Sequence, residues 1–129
     1  MTNQEIFDTA ITGVLAQGAY GYSDDGCVYY DPTTGNRCAV GLLLPVETAD
    51  RWAYDLGVSS IGNLDYKADP VKAEVMRDLD ALGITDDQIE FLDSLQGFHD
   101  NLAVGDFDRD HFLAAARDFA NIHGLRMPA

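Results

Sequence analysis

Residues 26–44 read GCVYYDPTTGNRCAVGLLL and contain both cysteines of the chain, its clearest strand pattern and its most apolar run. The stretch CVYY at 27–30 is rich in β-forming residues, and DPTTG at 31–35 supplies turn-forming residues. This combination predicts a β-hairpin whose second strand lies at 35–38. Because an isolated hairpin is only marginally stable in water, we expect helices to cover it.

The predicted hairpin brings the two cysteines together. With a four-residue loop at 31–34, Cys27 lies opposite Cys38 at the open end. The apolar run that begins at Cys38 predicts a short buried helix, which stops before Pro45. We expect both cysteines to remain thiols, because a cytosolic compartment is reducing.

Capped, amphipathic segments on both sides of the hairpin predict helices. Thr2 with Glu5, and Thr85 with Gln88, have the spacing of capping boxes. The helix after Thr85 is expected to end near Asp100. Helix starts are predicted, in chain order, at Thr2, Cys38, Pro45, Asp69, Thr85 and Asp108. The predicted fold is mainly α with one β-hairpin (α+β), a compact single domain over residues 1–129 with five or six helices packed around the hairpin.

The composition is strongly acidic. The chain has 22 Asp and Glu residues against 8 Lys and Arg residues, a formal net charge of −14. Such a field repels phosphate, so direct binding to nucleic acid or to an anionic membrane is disfavoured. The charge is consistent with solubility and helix capping, with adaptation to high salt, or with attraction of a basic partner.

The expected location is the cytoplasm, because no apolar run is long enough to span a membrane and the N-terminus lacks a signal segment. If the charge serves binding, we expect a protein partner with a basic surface. The candidate binding residues are two acidic pairs at predicted loop or helix starts, Asp24 with Asp25 and Asp86 with Asp87.

A second hypothesis is a cysteine-dependent enzyme. Cys38 is predicted at a helix N-terminus, where the macrodipole favours a thiolate, and His99 could act as its base. Adjacent residues on a helix point about 100° apart, so Asp100 is not expected to orient the ring of His99. Small apolar neighbours equally suit a buried, inert cysteine.

No metal or cofactor is predicted. Cys27, Cys38 and His99 lack the tight local pairs that are typical of structural zinc sites. The acidic triplet within residues 106–110 resembles the opening of a calcium loop but lacks the glycine and glutamate that such a loop requires. Capping of the last helix explains these acids better.

Gln96 and His99 lie on the apolar stripe of their predicted helix, so we expect both to be buried and hydrogen-bonded. The simplest interpretation is that they bind backbone groups of the hairpin and of its following turn. They would then be structural anchors, together with Cys27 and Cys38.

Three short patterns resemble those of a family of small phage and prophage proteins. They are C-x-Y at 27–29, RCAVG at 37–41 with LLP at 43–45, and LQxxHD at 95–100. The looser resemblance covers residues 6–125. It implies an origin in a mobile element but no reaction, because the family has no established catalytic residues.

The expected function is therefore binding without catalysis. A phage-type accessory protein would engage a host or phage protein through the acidic surface. One concrete form is inhibition of a nucleic-acid-binding or defence protein by charge mimicry. The alternatives are the cysteine enzyme that uses Cys38 and His99, and a salt-adapted protein whose charge serves no particular partner.

Overall fold

The computed structural model describes residues 1–23, 26–27, 29–51 and 77–128. This part of the chain forms a small all-α domain. Its α-helices are α1 (Asn3–Gln17), α2 (Val46–Arg51), α3 (77–81), α4 (Ile89–Ala103) and α5 (Arg109–His123). Single 3₁₀ turns occupy Gly41–Leu43 and Asp86–Gln88. The predicted helix start at Asp69 lies outside the described residues.

The predicted hairpin between 27–30 and 35–38 is wrong, and with it the α+β fold class. Cys27 pairs with Tyr22 rather than with Cys38, in a minimal antiparallel ladder of two-residue strands, β1 (Tyr22–Ser23) and β2 (Gly26–Cys27). Where the hairpin loop was predicted, the chain forms a single turn that is closed by two backbone hydrogen bonds. Its backbone bonds run from Asp31 N–H to Asn36 C=O, at 2.9 Å, and from Gly35 N–H to Asp31 C=O, at 2.6 Å.

Side chains of α1 and α4 bind backbone groups of the predicted second strand and of the turn that follows it. The amide of Gln17 on α1 accepts from Arg37 N–H at 2.7 Å and donates to Arg37 C=O at 3.0 Å. Val40 N–H donates to Gln96 on α4 at 3.0 Å. We call the described residues between 18 and 44 the clamped segment, because these side chains hold its backbone.

Two glycines let the clamped segment fold back on itself. A β-carbon at Gly41 would collide with the backbone carbonyl of Tyr29, and one at Gly21 would collide with the backbone between Arg37 and Cys38. Neither position has room for a side chain, because the obstructing atoms are backbone and cannot rotate away. The close approach buries the turn from Cys38 to Leu44, which was predicted as a short helix and forms a turn followed by a 3₁₀ turn.

The predicted caps of α1 are confirmed. Glu5 N–H donates to the Thr2 hydroxyl at 3.1 Å, and Thr2 N–H donates to the Glu5 carboxylate at 2.9 Å. Gly18 ends the helix in the left-handed conformation, with φ of 65°. The hydrogen bond from Thr2 N–H, followed by that from the Thr2 hydroxyl, lowers the pKa of Glu5 below its usual value.

The predicted capping interactions at Thr85 and Asp108 are also present, although Thr85 caps the 3₁₀ turn Asp86–Gln88 and α4 itself begins at Ile89. Thr85 N–H donates to the side chain of Gln88 at 3.0 Å, and the Asp108 carboxylate accepts from His111 N–H at 3.0 Å. The rings of Phe107 and Phe112 contact each other at a tilt across the start of α5, with centroids 5.8 Å apart. The end of α4 differs from the prediction, because the helix continues three residues past Asp100.

The core lies where α1, α4 and α5 meet the buried turn of the clamped segment. Phe119 on α5 joins the helices, since its ring contacts Phe7 on α1 and Phe91 and Phe98 on α4. No helix in the described ranges is long and apolar enough to cross a membrane.

Candidate functional site

A buried polar network on α4 is the first candidate site. His99 is 1% exposed and Gln96 is 4% exposed, and apart from two tyrosines they are the only residues with polar side chains found buried in the described part of the chain. Both bind backbone groups of the clamped segment. Asp100, which has a side chain 34% exposed, links the two on the solvent side.

Both ring nitrogens of His99 are engaged. Nε2 accepts from Gly21 N–H at 3.3 Å, and Nδ1 lies 2.9 Å from Asp100 Oδ1. A nitrogen that accepts a hydrogen bond carries no proton, so the neutral ring holds its proton on Nδ1 and donates it to the carboxylate. The network therefore selects one tautomer.

The expectation that Asp100 cannot orient the His99 ring is wrong. Asp100 Oδ1 accepts from His99 Nδ1 and also from Gln96 Nε2, at 3.0 Å. The carboxylate reaches back across its own backbone, so the angular separation of neighbouring helical residues does not keep the two side chains apart. The result is a carboxylate-oriented imidazole, the arrangement that positions a general base in many hydrolases.

Its other nitrogen, however, meets a backbone amide rather than a nucleophile. Gly21 N–H occupies the Nε2 lone pair that a base would use to accept a proton. Cys38 is a free thiol and is completely buried. The geometry thus gives His99 a structural partner in place of a reactive one, and it gives the Cys38 thiol no access to solvent. The side chain of Cys27 lies outside the described residues.

Tyr20 was not singled out from the sequence and belongs to the same network. Its ring edge meets His99 with centroids 5.4 Å apart, and it also contacts Phe107 and Phe112. The side chain is 8% exposed, and its buried hydroxyl has no hydrogen-bond partner among the described residues. Burial, with a smaller contribution from the Asp108 charge, raises the pKa of Tyr20. The feature of the sequence that could have pointed to Tyr20 is its position as an aromatic residue two places after Gly18, which ends α1.

The second candidate site is an acidic surface on the opposite side of α4. Asp86 and Asp87 are exposed, as are Glu90 and Asp93, which follow at helical spacing. We call these four residues the acidic stripe. None of them forms a salt bridge with a residue in the described ranges. Asp24 and Asp25, the other predicted binding pair, lie outside the described residues.

The acidic stripe is part of a longer region without any basic residue. Residues 78–108 contain nine Asp or Glu residues and neither Lys nor Arg. Helix α4 therefore has no Lys or Arg three or four positions away that could neutralise the stripe. The candidate pair Asp86 and Asp87 marks only the first turn of this surface, and counting charges in a window of the sequence would have revealed its full extent.

Two further features of the molecule bear on ligand binding. Within the described ranges, no cluster of three or more His, Cys, Asp or Glu side chains could hold a metal ion. An open groove on α1 is lined mainly by Thr9, Thr12, Gly13 and Leu42. Its one carboxylate, Asp8, is occupied by a hydrogen bond from Gln4, so no set of catalytic groups converges there.

Comparisons of the chain with protein-family models, curated proteins and solved structures found no match.

Proposed function

We propose that the protein is a non-enzymatic accessory protein of the phage or mobile-element type, which binds a host or phage protein through its acidic surface. The observation that carries the proposal is the acidic stripe, which is exposed on the 3₁₀ turn and the first turns of α4 and forms no salt bridge with a residue in the described ranges. A fixed row of like charges attracts a basic surface without requiring the partner to reorganise it. The partner is a protein with a basic cleft, met in the cytoplasm.

The spacing of the stripe supports mimicry of nucleic acid. Four carboxylates lie within about 11 Å along the helix axis, or roughly one charge per 3.7 Å. One strand of duplex DNA carries a charge about every 3.4 Å of its axis. The acidic stripe therefore offers a basic cleft a charge density along the helix axis similar to that of one DNA strand, although the adjacent Asp86 and Asp87 project in different directions. Inhibition of a nucleic-acid-binding or defence protein is the form of the function that this similarity favours.

Electrostatics at the helix N-terminus explains how the stripe is tolerated. Like charges at helical spacing repel one another, which destabilises an isolated helix by a few tenths of a kcal/mol per pair. Asp86 and Asp87 lie in the 3₁₀ turn before α4, and Glu90 lies in the first turn of α4, where the positive end of the macrodipole compensates their charge. Asp93 lies further along and keeps only part of this compensation.

The alternative of a cysteine enzyme has less support. Cys38 is fully buried, and its candidate base binds a backbone amide. Native protein at pH 7.5 should therefore react with iodoacetamide at Cys38 far more slowly than the protein unfolded in urea. Rapid alkylation of native Cys38, read by peptide mass spectrometry, would favour the enzyme instead.

The test of the proposal uses the protein as bait in a lysate of a candidate host. Asp86→Asn/Asp87→Asn removes two charges from the stripe and should lower capture of a basic protein several-fold. The matched control Asp106→Asn/Asp110→Asn removes the same charge from the start of α5 and should capture as the wild type does. Added duplex DNA should compete with the wild-type bait.

The result also separates binding from salt adaptation. Attraction to a basic cleft weakens as ionic strength rises from about 0.1 to 0.5 M, because the screening length falls below ~10 Å. A salt-adapted protein would instead gain thermal stability over that range and show equal, small effects of both double variants. The same test applies to Asp24→Asn/Asp25→Asn, the other predicted pair.

A further inference from the structure

We propose that His99 is an acid-sensitive latch, which holds the loop at Tyr20–Gly21 against α4 while its ring is neutral and releases the loop when the ring is protonated. This inference goes beyond the proposed binding function and does not depend on it. It rests on the hydrogen-bond geometry of the ring.

The latch depends on which group can donate in the 3.3 Å contact between Gly21 N and His99 Nε2. Gly21 N–H can only donate, so Nε2 of His99 must accept. The other nitrogen already faces a carboxylate, Asp100 Oδ1 at 2.9 Å, so the ring cannot flip and preserve both bonds. The neutral ring with its proton on Nδ1 is the one state that satisfies both neighbours.

Protonation removes that state. The added proton goes to Nε2, which turns the acceptor into a donor that faces another donor. Gly21 N–H would then be buried without a partner, since Gly21 is itself buried. A conformation in which the loop moves away can hold the charged ring without this conflict. Acid therefore shifts the population towards the released loop.

The charged and titratable groups that face the His99 ring affect the balance between the closed and the released loop. On its own helix the charged group is Asp100, and from the loop the titratable group is Tyr20, whose ring edge lies against His99. Asp108, at the start of α5, is close enough to Tyr20 to affect it. Asp100 attracts the imidazolium, but it does so equally well after the loop has left, because both residues are on α4. The carboxylate thus favours the charge without holding the latch closed.

Heteronuclear NMR of the wild-type protein tests the latch directly. At about pH 8, the ¹⁵N shifts of the His99 ring should report a proton on Nδ1 and an accepting Nε2. On acidification from about pH 8 to about pH 5, once the ¹⁵N shifts report a protonated ring, the exchange protection of the Gly21 amide should fall roughly tenfold or more after correction for intrinsic rates. The Ile84 amide is the internal control. It is buried and donates to Leu79 C=O at 3.0 Å, with no part of the loop or of His99 in the bond, so its protection should not follow the protonation of His99.

Two variants sharpen the test. His99→Gln offers an acceptor that does not titrate in this range, so its Gly21 protection should not depend on pH. Asp100→Asn keeps the ring and removes its counter-charge, so release should require a lower pH than in the wild type. A ring that carries its proton on Nε2 at pH 8, or Gly21 protection that stays constant while the wild-type ring becomes protonated, would overturn the proposal.

Discussion

The helical frame of α1, α4 and α5 and the clamped segment satisfy their backbone polar groups in opposite ways. In the helices, bonds run between residues four apart, and the caps come from residues three positions away. In the clamped segment, three backbone N–H groups bind side chains 20, 56 and 78 residues away: Arg37 to Gln17, Val40 to Gln96 and Gly21 to His99. A helix shares its stability over many similar bonds, whereas the clamped segment depends on a few particular side chains. Substitutions should therefore affect the two regions unequally.

The largest difference is expected for glycine. Gly41→Ala places a methyl group against the backbone carbonyl of Tyr29 and should lower the free energy of unfolding by about 3 kcal/mol or more. Gly97→Ala, on the exposed face of α4 with open space around it, should raise that free energy by about 0.5–1 kcal/mol. Urea titration measures both. A Gly41→Ala protein as stable as the wild type would contradict the close approach.

Removal of the His99 ring should have the next largest effect. His99→Ala leaves a cavity and an unpaired Gly21 N–H, which should cost about 2–3 kcal/mol in unfolding free energy. The control is His111→Ala on the exposed face of α5, which should change the stability by less than about 0.5 kcal/mol. Similar values for the two variants would mean that the clamp contributes little.

The two glutamines of α1 allow a closer comparison, because each binds both backbone groups of one arginine. Gln17 binds Arg37 in the clamped segment, and Gln4 binds Arg126 in the C-terminal tail. Gln17→Met should cost about 1–2 kcal/mol, because it leaves partly buried backbone groups unpaired. Gln4→Met should cost less than about 1 kcal/mol, because water can replace its exposed bonds. Thermal unfolding should rank the variants in this order, and the reverse order would count against a special role for the clamp.

Tyr20→Phe should stabilise the protein, whereas the removal of a buried polar group usually lowers the free energy of unfolding. The variant removes a buried hydroxyl without a partner among the described residues, so the free energy of unfolding should rise by up to about 1 kcal/mol at pH 7. Because the pKa of Tyr20 is raised in the folded state, wild-type stability should also fall as the pH rises above 10.0, and Tyr20→Phe should lose this part of the fall. A destabilised Tyr20→Phe protein would indicate that the hydroxyl has a hydrogen-bond partner.

The smallest effect is expected at the cap of α1. The pKa of Glu5 is lowered in the folded state, so its contribution is present above pH 4.5 and is lost as the pH falls below that value. Glu5→Gln keeps an acceptor for Thr2 N–H and removes the charge. Its unfolding midpoint in urea should therefore depend less on pH between about 5 and 3 than that of the wild type. Identical pH profiles would show that the cap bond does not depend on the charge.

The same division explains how much of the fold could be predicted from the sequence. The caps at Thr2, Thr85 and Asp108 were predictable because both partners of each bond lie within three residues. The hairpin was mispredicted because local β and turn propensities were the only signals in residues 27–38. Nothing local indicates that Gln17 competes for the backbone of Arg37.

The candidate sites show a similar limit. The helical spacing of apolar residues on α4 was enough to predict that Gln96 and His99, which lie among them, are buried polar residues. Their actual partners, Val40 and Gly21, depend on how the chain returns to α4 after 56 and 78 residues. Only Asp86 and Asp87 of the acidic stripe were predicted, although all four of its charges lie within one short stretch of the sequence.

The long loops closed by these side chains also have a consequence for the order of folding. A contact between residues 56 or 78 positions apart costs more chain entropy to form than a helical turn, so α1, α4 and α5 should form as individual helices before the clamped segment settles on α4. Interactions that form after the transition state affect the unfolding rate more than the folding rate. In stopped-flow experiments, His99→Ala should therefore unfold faster while it refolds almost as quickly as the wild type. The side chains that hold the clamped segment would thus determine how long the native state lasts rather than how quickly it is reached.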